Sequence, residues 1–286
     1  MGRQAMAYRP VRWTEEKIRQ FENEGRGQGE GPSYQPWLKV ADVSSLGVSH
    51  RPWSNKTGRH HELLSDVEYR LFVCLESAPD VLDIREQYPL DRAITQQIAQ
   101  ELEIRHPHYP GTHVPTVMTV DFLVTHLHDG SKSLHAYNAK RDDEAEDEKS
   151  LAKLEIQRTY FELLEIPHHL VFHSAIPEQL AKNADWIRSA ALKPDEVERS
   201  PGYFDDLMNR MTGELAQKRQ HKRLSDYCSG FDSRHCLEPG TGLRVARMLL
   251  QERVLIADLG SHDLALASLD SFQITGRRGT PRLMGA

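Results

Sequence analysis

One short stretch constrains the fold of this chain more than any other. Residues 117–140 read VMTVDFLVTHLHDGSKSLHAYNAK, two strand-like runs joined by Asp129-Gly130. Asp-Gly is the strongest two-residue signal for a β-hairpin, because a type I′ turn requires a positive φ at both central residues. If this pair forms the turn, the register of the two strands places Asp121 directly opposite Asn138.

The same register predicts what each side of the hairpin carries. Side chains alternate along a strand, so Lys140, two residues beyond Asn138, points to the same side as Asn138 and Asp121. The other side of the first strand is apolar and predicts a core face, formed by Met118, Val120, Phe122 and Val124. The alternative is a half-exposed hairpin whose polar edge has no chemical role.

A second acidic side chain is predicted at the start of a helix. Residues 64–77 read LSDVEYRLFVCLES, in which Ser65 is a suitable N-cap and Glu68 stands three residues on. This spacing predicts a capping box at the first turn of the helix. Glu68 is then either a capping residue alone or an acid that also serves the polar side of the hairpin.

These residue types suit the hydrolysis of a phosphodiester. Mg²⁺ prefers oxygen ligands and is usually held by one or two carboxylates, with water and substrate phosphate completing its shell. We expect Glu68 and Asp121 to hold the metal and Lys140 to assist the attacking water. Asn138 would be a neutral oxygen donor, weaker than a carboxylate. The layout of a strand aspartate, a turn and a polar-x-Lys strand resembles the core of restriction-type nucleases.

Composition limits the class of protein without identifying it. Net charge is −6 over 286 residues, and no apolar run approaches the length of a membrane span. Three scattered cysteines indicate neither a disulfide framework nor a zinc site, so we expect a cytoplasmic protein. Because the chain lacks a strongly basic face, we expect it to bind DNA weakly by itself.

The order of the elements predicts two domains. A strand at 81–90, a helix near 93–103, the hairpin, a helix at 149–165 and a strand at 168–174 indicate a mixed α/β sheet over residues 1–175. Residues 176–286 predict helices at 177–192, 203–223 and 241–253, with a winged-helix arrangement as one option. The end, TGRRGTPRLMGA, is predicted to be a disordered tail.

Several segments together resemble one family. They are EGRGQGEGPSYQPWLKV, SNKTGRHHELLSDVEYRLFVCLE, VLDIREQYPL, MTVDFLV and SLAKLEIQRTYFELLEIPHHLVF, and they cover about residues 24–172 in a consistent order. In these segments the chain resembles the TnsA family, the endonuclease subunits of heteromeric cut-and-paste transposases. Residues beyond about 180 carry no such resemblance.

The resemblance implies a restriction-endonuclease-like, Mg²⁺-dependent nuclease that cleaves the 5′ ends of a transposon. It implies three partners: double-stranded DNA at the transposon ends, a DDE transposase (TnsB-like), and an AAA+ regulator (TnsC-like) bound through the C-terminal domain. The family's catalytic positions fall on Glu68, Asp121 and Lys140, whereas its glutamine is Asn138 here. Two alternatives stay open: a stand-alone restriction or repair nuclease, and a catalytically decayed assembly subunit.

Overall fold

The Asp129-Gly130 turn forms the predicted hairpin. Asp129 has φ 47° and Gly130 has φ 80°, the two positive values that a type I′ turn requires. The flanking strands pair from His128 with Ser131 as far as Phe122 with Tyr137. This is the register predicted from the turn. It is seen in a computed structural model that describes residues 11–43, 48–144, 147–217 and 221–275.

The chain divides into two compact units, 1–176 and 177–286. The elements of the first unit are α1 (Glu15–Asn23), β1 (Trp53–Ser54), β2 (Arg59–His60), α2 (Asp66–Ser77), β3 (Val81–Pro89), α3 (Arg92–Glu101), β4 (Thr119–His128), β5 (Ser131–Lys140), α4 (Glu148–Leu163) and β6 (His168–Phe172). The main sheet has the order β3-β4-β5-β6. The β3/β4 and β4/β5 pairs are antiparallel, and β5/β6 is parallel. The predicted mixed α/β class is therefore confirmed.

Helix α4 makes the crossover that a parallel β5/β6 pair requires. It leaves the end of β5 and returns the chain to β6, and it packs on the sheet through Ile156 and Phe161. These side chains cluster with Leu123 of β4 and Ala136 of β5, which are 3% and 0% exposed. Met118 and Val120 of β4 belong to the same cluster, although strict alternation from Leu123 would place them on the opposite side of the strand.

The predicted division of the hairpin into a polar and an apolar side is therefore wrong in one respect. Met118, Val120, Phe122 and Val124 are buried, as predicted. The side that carries Asp121 is buried at Leu123 and, on β5, at Ala136 and Asn138, where α4 packs, whereas Thr119 and Thr125 are partly exposed. The sequence of β4 alone does not show this, since the cover comes from α4, which begins 20 residues after β4 ends.

The second unit is mainly helical. It contains α5 (Glu178–Arg188), α6 (Tyr203–Gln217), α7 (Leu224–Arg234), α8 (Thr241–Gln251) and a short antiparallel ribbon of β7 (Leu255–Ile256) and β8 (Gln273–Ile274). Its core includes Met211, Phe231 and Val245, each 0% exposed. The helix predicted over 203–223 runs past the end of α6 at Gln217, and α7 lies where no helix was predicted.

Two further predictions meet the limits of the described residues. The predicted tail lies almost wholly outside them, since the description ends at residue 275. Within the described part of the chain, no helix combines the length and apolarity needed to cross a bilayer. The three cysteines are free thiols.

Candidate active site

The two hairpin strands exchange side-chain contacts where their backbone pairing stops. Beyond the Phe122–Tyr137 pair, the backbone N–H of Asp121 donates to Oδ1 of Asn138 at 3.2 Å. In return, the N–H of Ala139 donates to Oδ2 of Asp121 at 2.8 Å. The strands therefore open at this end, and the Asp121 carboxylate lies in the gap between them.

Lys140 is the last residue of β5 and lies beside this gap. Its ammonium is close enough to the Asp121 carboxylate to act against the rise in the pKa of that group. The Lys140 Nζ is also 3.6 Å from the Glu144 carboxylate, and its side chain is 28% exposed. An ion pair this open to water holds the lysine only weakly, so the ammonium is able to move toward a bound phosphate.

Glu68 lies in the first turn of α2, where Ser65 forms the predicted N-cap. The Ser65 Oγ accepts from the Glu68 N–H at 3.2 Å and donates to Glu68 Oε1 at 2.9 Å. The predicted capping box differs in its second half, because Glu68 Oε2 accepts from the N–H of Leu64, not of Ser65. Glu68 is thus held by the start of its own helix with its carboxylate turned inward, at 7% exposure.

Gln87 joins Glu68 to the hairpin and was not predicted from the sequence. It lies in β3 between the pairs Glu86–Phe122 and Tyr88–Val120, so it is level with Asp121. Its φ of 48° is unusual for a residue other than glycine and marks an irregularity in the strand. Its Nε2 donates to Glu68 Oε2 at 3.2 Å, and its Oε1 accepts from Thr119 Oγ1 at 3.2 Å.

Asn138 is tied to helix α4 as well as to Asp121. It is 2% exposed, and its Nδ2 donates to Gln157 Oε1 at 2.6 Å. Gln157 Nε2 in turn donates to the backbone carbonyl of Thr119 at 2.7 Å. Both ends of the Asn138 amide are therefore engaged, its oxygen by the Asp121 backbone and its nitrogen by Gln157. Gln157 was also missed, because a glutamine within a helix carries no local signal.

Asp121, Asn138 and Lys140 line one open cleft of about 760 Å³. The rest of its wall comes from the segments around Trp13, Asp42, Tyr109 and Val117 and from one face of α4. Trp13 and Tyr109 stack with their ring centroids 3.9 Å apart, which makes this part of the wall rigid. Three of the four predicted site residues therefore share a cleft. Glu68 is not among its lining residues and approaches Asp121 from the protein interior.

Both carboxyl groups have a raised pKa. Burial, together with the nearby charge of Asp121, raises the pKa of Glu68 to about 8. Burial also raises the pKa of Asp121, and the Lys140 ammonium and the Ala139 N–H only partly offset this. A pair of carboxyls with raised pKa values in a cleft is typical of a functional site.

The donor set suits Mg²⁺. Among the described residues no group of three or more His, Cys, Asp or Glu side chains is arranged to hold a metal, so a metal at Asp121 and Glu68 would take at most two carboxylates from this part of the chain. That is the usual number for Mg²⁺. In the described part of the chain, Asp121 Oδ1 accepts no hydrogen bond. Glu68 accepts three hydrogen bonds out of about four lone-pair sites. A cation between them would offset the raised pKa of both groups.

Comparison with known proteins identifies the family. Residues 78–173 match the family described as TnsA-like endonuclease N terminal, and residues 175–259 match TnsA endonuclease C terminal. The Transposon Tn7 transposition protein TnsA of Escherichia coli is 37% identical over 239 residues, which cover 83% of this chain and 84% of that protein. The chain belongs to the TnsA endonuclease family.

Membership confirms the family that the sequence motifs indicated. The N-terminal match spans Asp121, Asn138 and Lys140 but begins after Glu68. The C-terminal match covers the helical unit as far as residue 259, where the motifs had given no resemblance. The assignment of particular residues to the chemistry stays a prediction that the geometry of the cleft supports.

Proposed function

We propose that this chain is a Mg²⁺-dependent DNA endonuclease that cleaves the 5′ ends of a transposon during cut-and-paste transposition. One observation carries the proposal: an aspartate, a lysine and an amide meet at the open end of a hairpin, with a second carboxyl close behind the aspartate. Membership of the TnsA endonuclease family supplies the reaction class, and the cleft supplies a place where a DNA strand can reach these groups.

Each residue has a role that follows from its position. Asp121 presents Oδ1 to the cleft, and Glu68 offers its remaining lone-pair site from the interior. Held by these two carboxylates, Mg²⁺ would supply positive charge at the scissile phosphate and would make water a better nucleophile. Lys140, at the rim of the same gap, orients the attacking water and stabilises the charge that develops on the phosphate.

Asn138 has a positioning role in this proposal. Its oxygen holds the backbone of Asp121, and its nitrogen is held by Gln157 of α4. A side chain engaged at both ends is suited to fix the aspartate and poorly placed to take a metal. The shorter side chain at the family's glutamine position is therefore compatible with activity.

The proposal extends to the partners. A DDE transposase would cut and join the 3′ ends, and an AAA+ regulator would bind the helical unit. Because the net charge is −6, we expect the chain by itself to bind DNA weakly and to depend on the transposase to find the transposon ends. Tight sequence-specific binding by the purified chain would contradict this part of the proposal.

The decisive experiment compares matched variants in a reaction reconstituted with the transposase, in Mg²⁺. Asp121→Asn and Lys140→Ala are each expected to slow 5′-end cleavage by roughly 10²-fold or more. Their controls lie on the same hairpin: Asp129→Asn, since asparagine suits the turn, and Lys132→Ala at an exposed position. Both controls should cleave at the wild-type rate.

Two results would overturn the proposal in different ways. Cleavage that survives Asp121→Asn would show that the active site lies elsewhere in the chain. Transposition that proceeds without any 5′ cleavage by the wild-type chain would indicate an assembly subunit. Cleavage of DNA at full rate without the transposase would favour a stand-alone nuclease.

A further inference from the structure

Helix α4 turns one face toward the cleft, and that face carries a lysine. Ser150, Lys153, Leu154 and Gln157 all line the cleft. Their spacing of three, four and seven residues places them on one side of the helix. Gln157 is fixed against the hairpin by its bonds to Asn138 and Thr119. Lys153 therefore stands one turn, roughly 5.4 Å, along the helix from a residue that contacts the active site.

Lys153 differs from the other cations on this helix. Arg158 pairs with Glu155 and Glu162 on the outer surface of α4. Within the described residues Lys153 forms no ion pair, and its side chain is exposed. Lys149 is also exposed but does not line the cleft. The cleft thus receives one cation from α4 that the fold does not use for its own stability.

The charges around the cleft favour a phosphate at this position. Arg12, Lys140 and Lys153 line it on the positive side, and Asp42 and Asp121 on the negative side. Asp42 is already neutralised, because Arg26 Nη1 lies 2.5 Å from its Oδ2. If Mg²⁺ offsets Asp121, the cleft has an excess of positive charge.

Within its described residues, the acidic segment before α4 offsets this charge at Lys140, which faces Glu144 at 3.6 Å, whereas its three aspartates have partners of their own. Asp142 accepts from the backbone N–H of Ser174 at 3.2 Å. Asp143 pairs with Arg141 at 3.0 Å. Asp147 caps α4 by accepting from the Ser150 N–H at 2.9 Å.

We infer that Lys153 binds a phosphate of the DNA strand being cut, within about two nucleotides of the scissile phosphate. The range follows from geometry: nucleotides of one strand are about 3.4 Å apart along the DNA axis, so one helical turn of α4 spans one to two of them. Lys153 binds substrate and takes no part in the chemical step. The inference rests on the proposed nuclease function and adds to it a contact that aligns the strand.

The test combines lysine variants with DNA that lacks one charge. The full chain, its transposase partner and Mg²⁺ are used to measure single-turnover 5′ cleavage. The substrates carry a neutral methylphosphonate at each linkage within two nucleotides of the nick, one at a time. The variants are Lys153→Ala, Lys153→Arg and the control Lys149→Ala, all at exposed positions where folding is not at risk.

We expect Lys153→Ala to cleave unmodified DNA roughly tenfold more slowly, the size of one lost charged hydrogen bond. Lys153→Arg should recover most of that rate, and Lys149→Ala should match the wild type. At one of these linkages, the methylphosphonate should slow cleavage by the wild type by a similar factor. The same substitution should not slow cleavage by Lys153→Ala any further, because that variant already lacks the contact.

The inference fails if Lys153→Ala cleaves at the wild-type rate, if Lys149→Ala is slowed equally, or if every methylphosphonate adds its own loss in Lys153→Ala. A failure of the proposed function looks different: the wild-type chain would then cleave unmodified DNA no faster than Asp121→Asn.

Discussion

Glu68 is held where its own negative charge is unfavourable, and this has a consequence for stability. Its pKa is raised from 4.5 to about 8 by burial and by Asp121. Between those two values the folded chain keeps a proton that the unfolded chain has released. By linkage, the free energy of unfolding of the metal-free protein falls as pH rises through this window.

Glu68→Gln should remove this pH dependence. The amide can place its oxygen toward the Leu64 N–H and Gln87 and its NH₂ toward Ser65 Oγ, so the local hydrogen bonds survive. We expect the variant to gain stability over the wild type at pH 8 and little at pH 5. Urea unfolding in a chelator at both pH values measures this, and an equal gain at both would refute it.

Mg²⁺ should raise the free energy of unfolding at high pH, where the raised pKa of Glu68 lowers it in the metal-free protein. A ligand that binds only the folded state raises the free energy of unfolding, and Mg²⁺ binds the ionised carboxylates. Thermal unfolding with and without Mg²⁺ should show a larger rise in Tm at pH 8 than at pH 6. Asp121→Asn should abolish that rise, and Asp129→Asn should keep it.

The Asn138 and Gln157 side chains are predicted to stabilise the folded protein as a coupled pair. Asn138→Ala leaves the Asp121 N–H and Gln157 Oε1 without their partners, at a cost of about 1–3 kcal/mol. Gln157→Ala should cost a similar amount, and the double variant less than the sum. Chemical denaturation of the three variants gives the coupling. Strictly additive losses would show that the two amides act independently.

At the scale of elements, the start of α2 couples helix stability to the site. Ser65→Ala removes an N-cap, which costs about 1 kcal/mol. It also removes a hydrogen bond that lowers the pKa of Glu68. As the pH is lowered, the Glu68 carboxylate of the variant should take up its proton earlier. We therefore expect the cleavage rate of the variant to decline at a higher pH than that of the wild type.

Thr14→Ala is the matched control for that effect, since Thr14 caps α1 by accepting from the Lys17 N–H at 3.2 Å. It should lose similar stability and keep the wild-type pH profile of cleavage. If both variants shift the profile, or neither does, the cap of α2 has no special link to the active site.

At the scale of the whole molecule, each unit has a buried core of its own. Residues 1–176 and 177–286 are therefore each expected to unfold cooperatively when expressed separately. The first fragment should keep the pH-dependent response to Mg²⁺. The second should bind the AAA+ regulator in a pull-down experiment that uses the first fragment as the negative control. Binding by the first fragment alone would place that contact on the nuclease unit.

Much of the nuclease unit could be predicted because its signals are local. The Asp-Gly turn determines the hairpin register over a few residues, and Ser65 and Glu68 mark the start of α2 within one turn. The residues that support the site could not be predicted in this way. Gln87 depends on a strand irregularity, and Gln157 and Lys153 depend on how α4 crosses the sheet. In the second unit the predicted helix over 203–223 ran past the end of α6, and α7 was not predicted.

The sequence by itself determined which polar residues meet at the end of the hairpin, because a two-residue turn and strand alternation leave little freedom in register. It also determined the family, through motifs in a consistent order. Only the tertiary structure decided the surroundings of those residues. Because α4 covers it, Asn138 is buried and holds the backbone of Asp121. The position of α2 brings the Glu68 carboxyl close to Asp121 on the interior side. Burial raises the pKa of both carboxyls, because charge is costly away from water, and burial is set by elements distant in the chain.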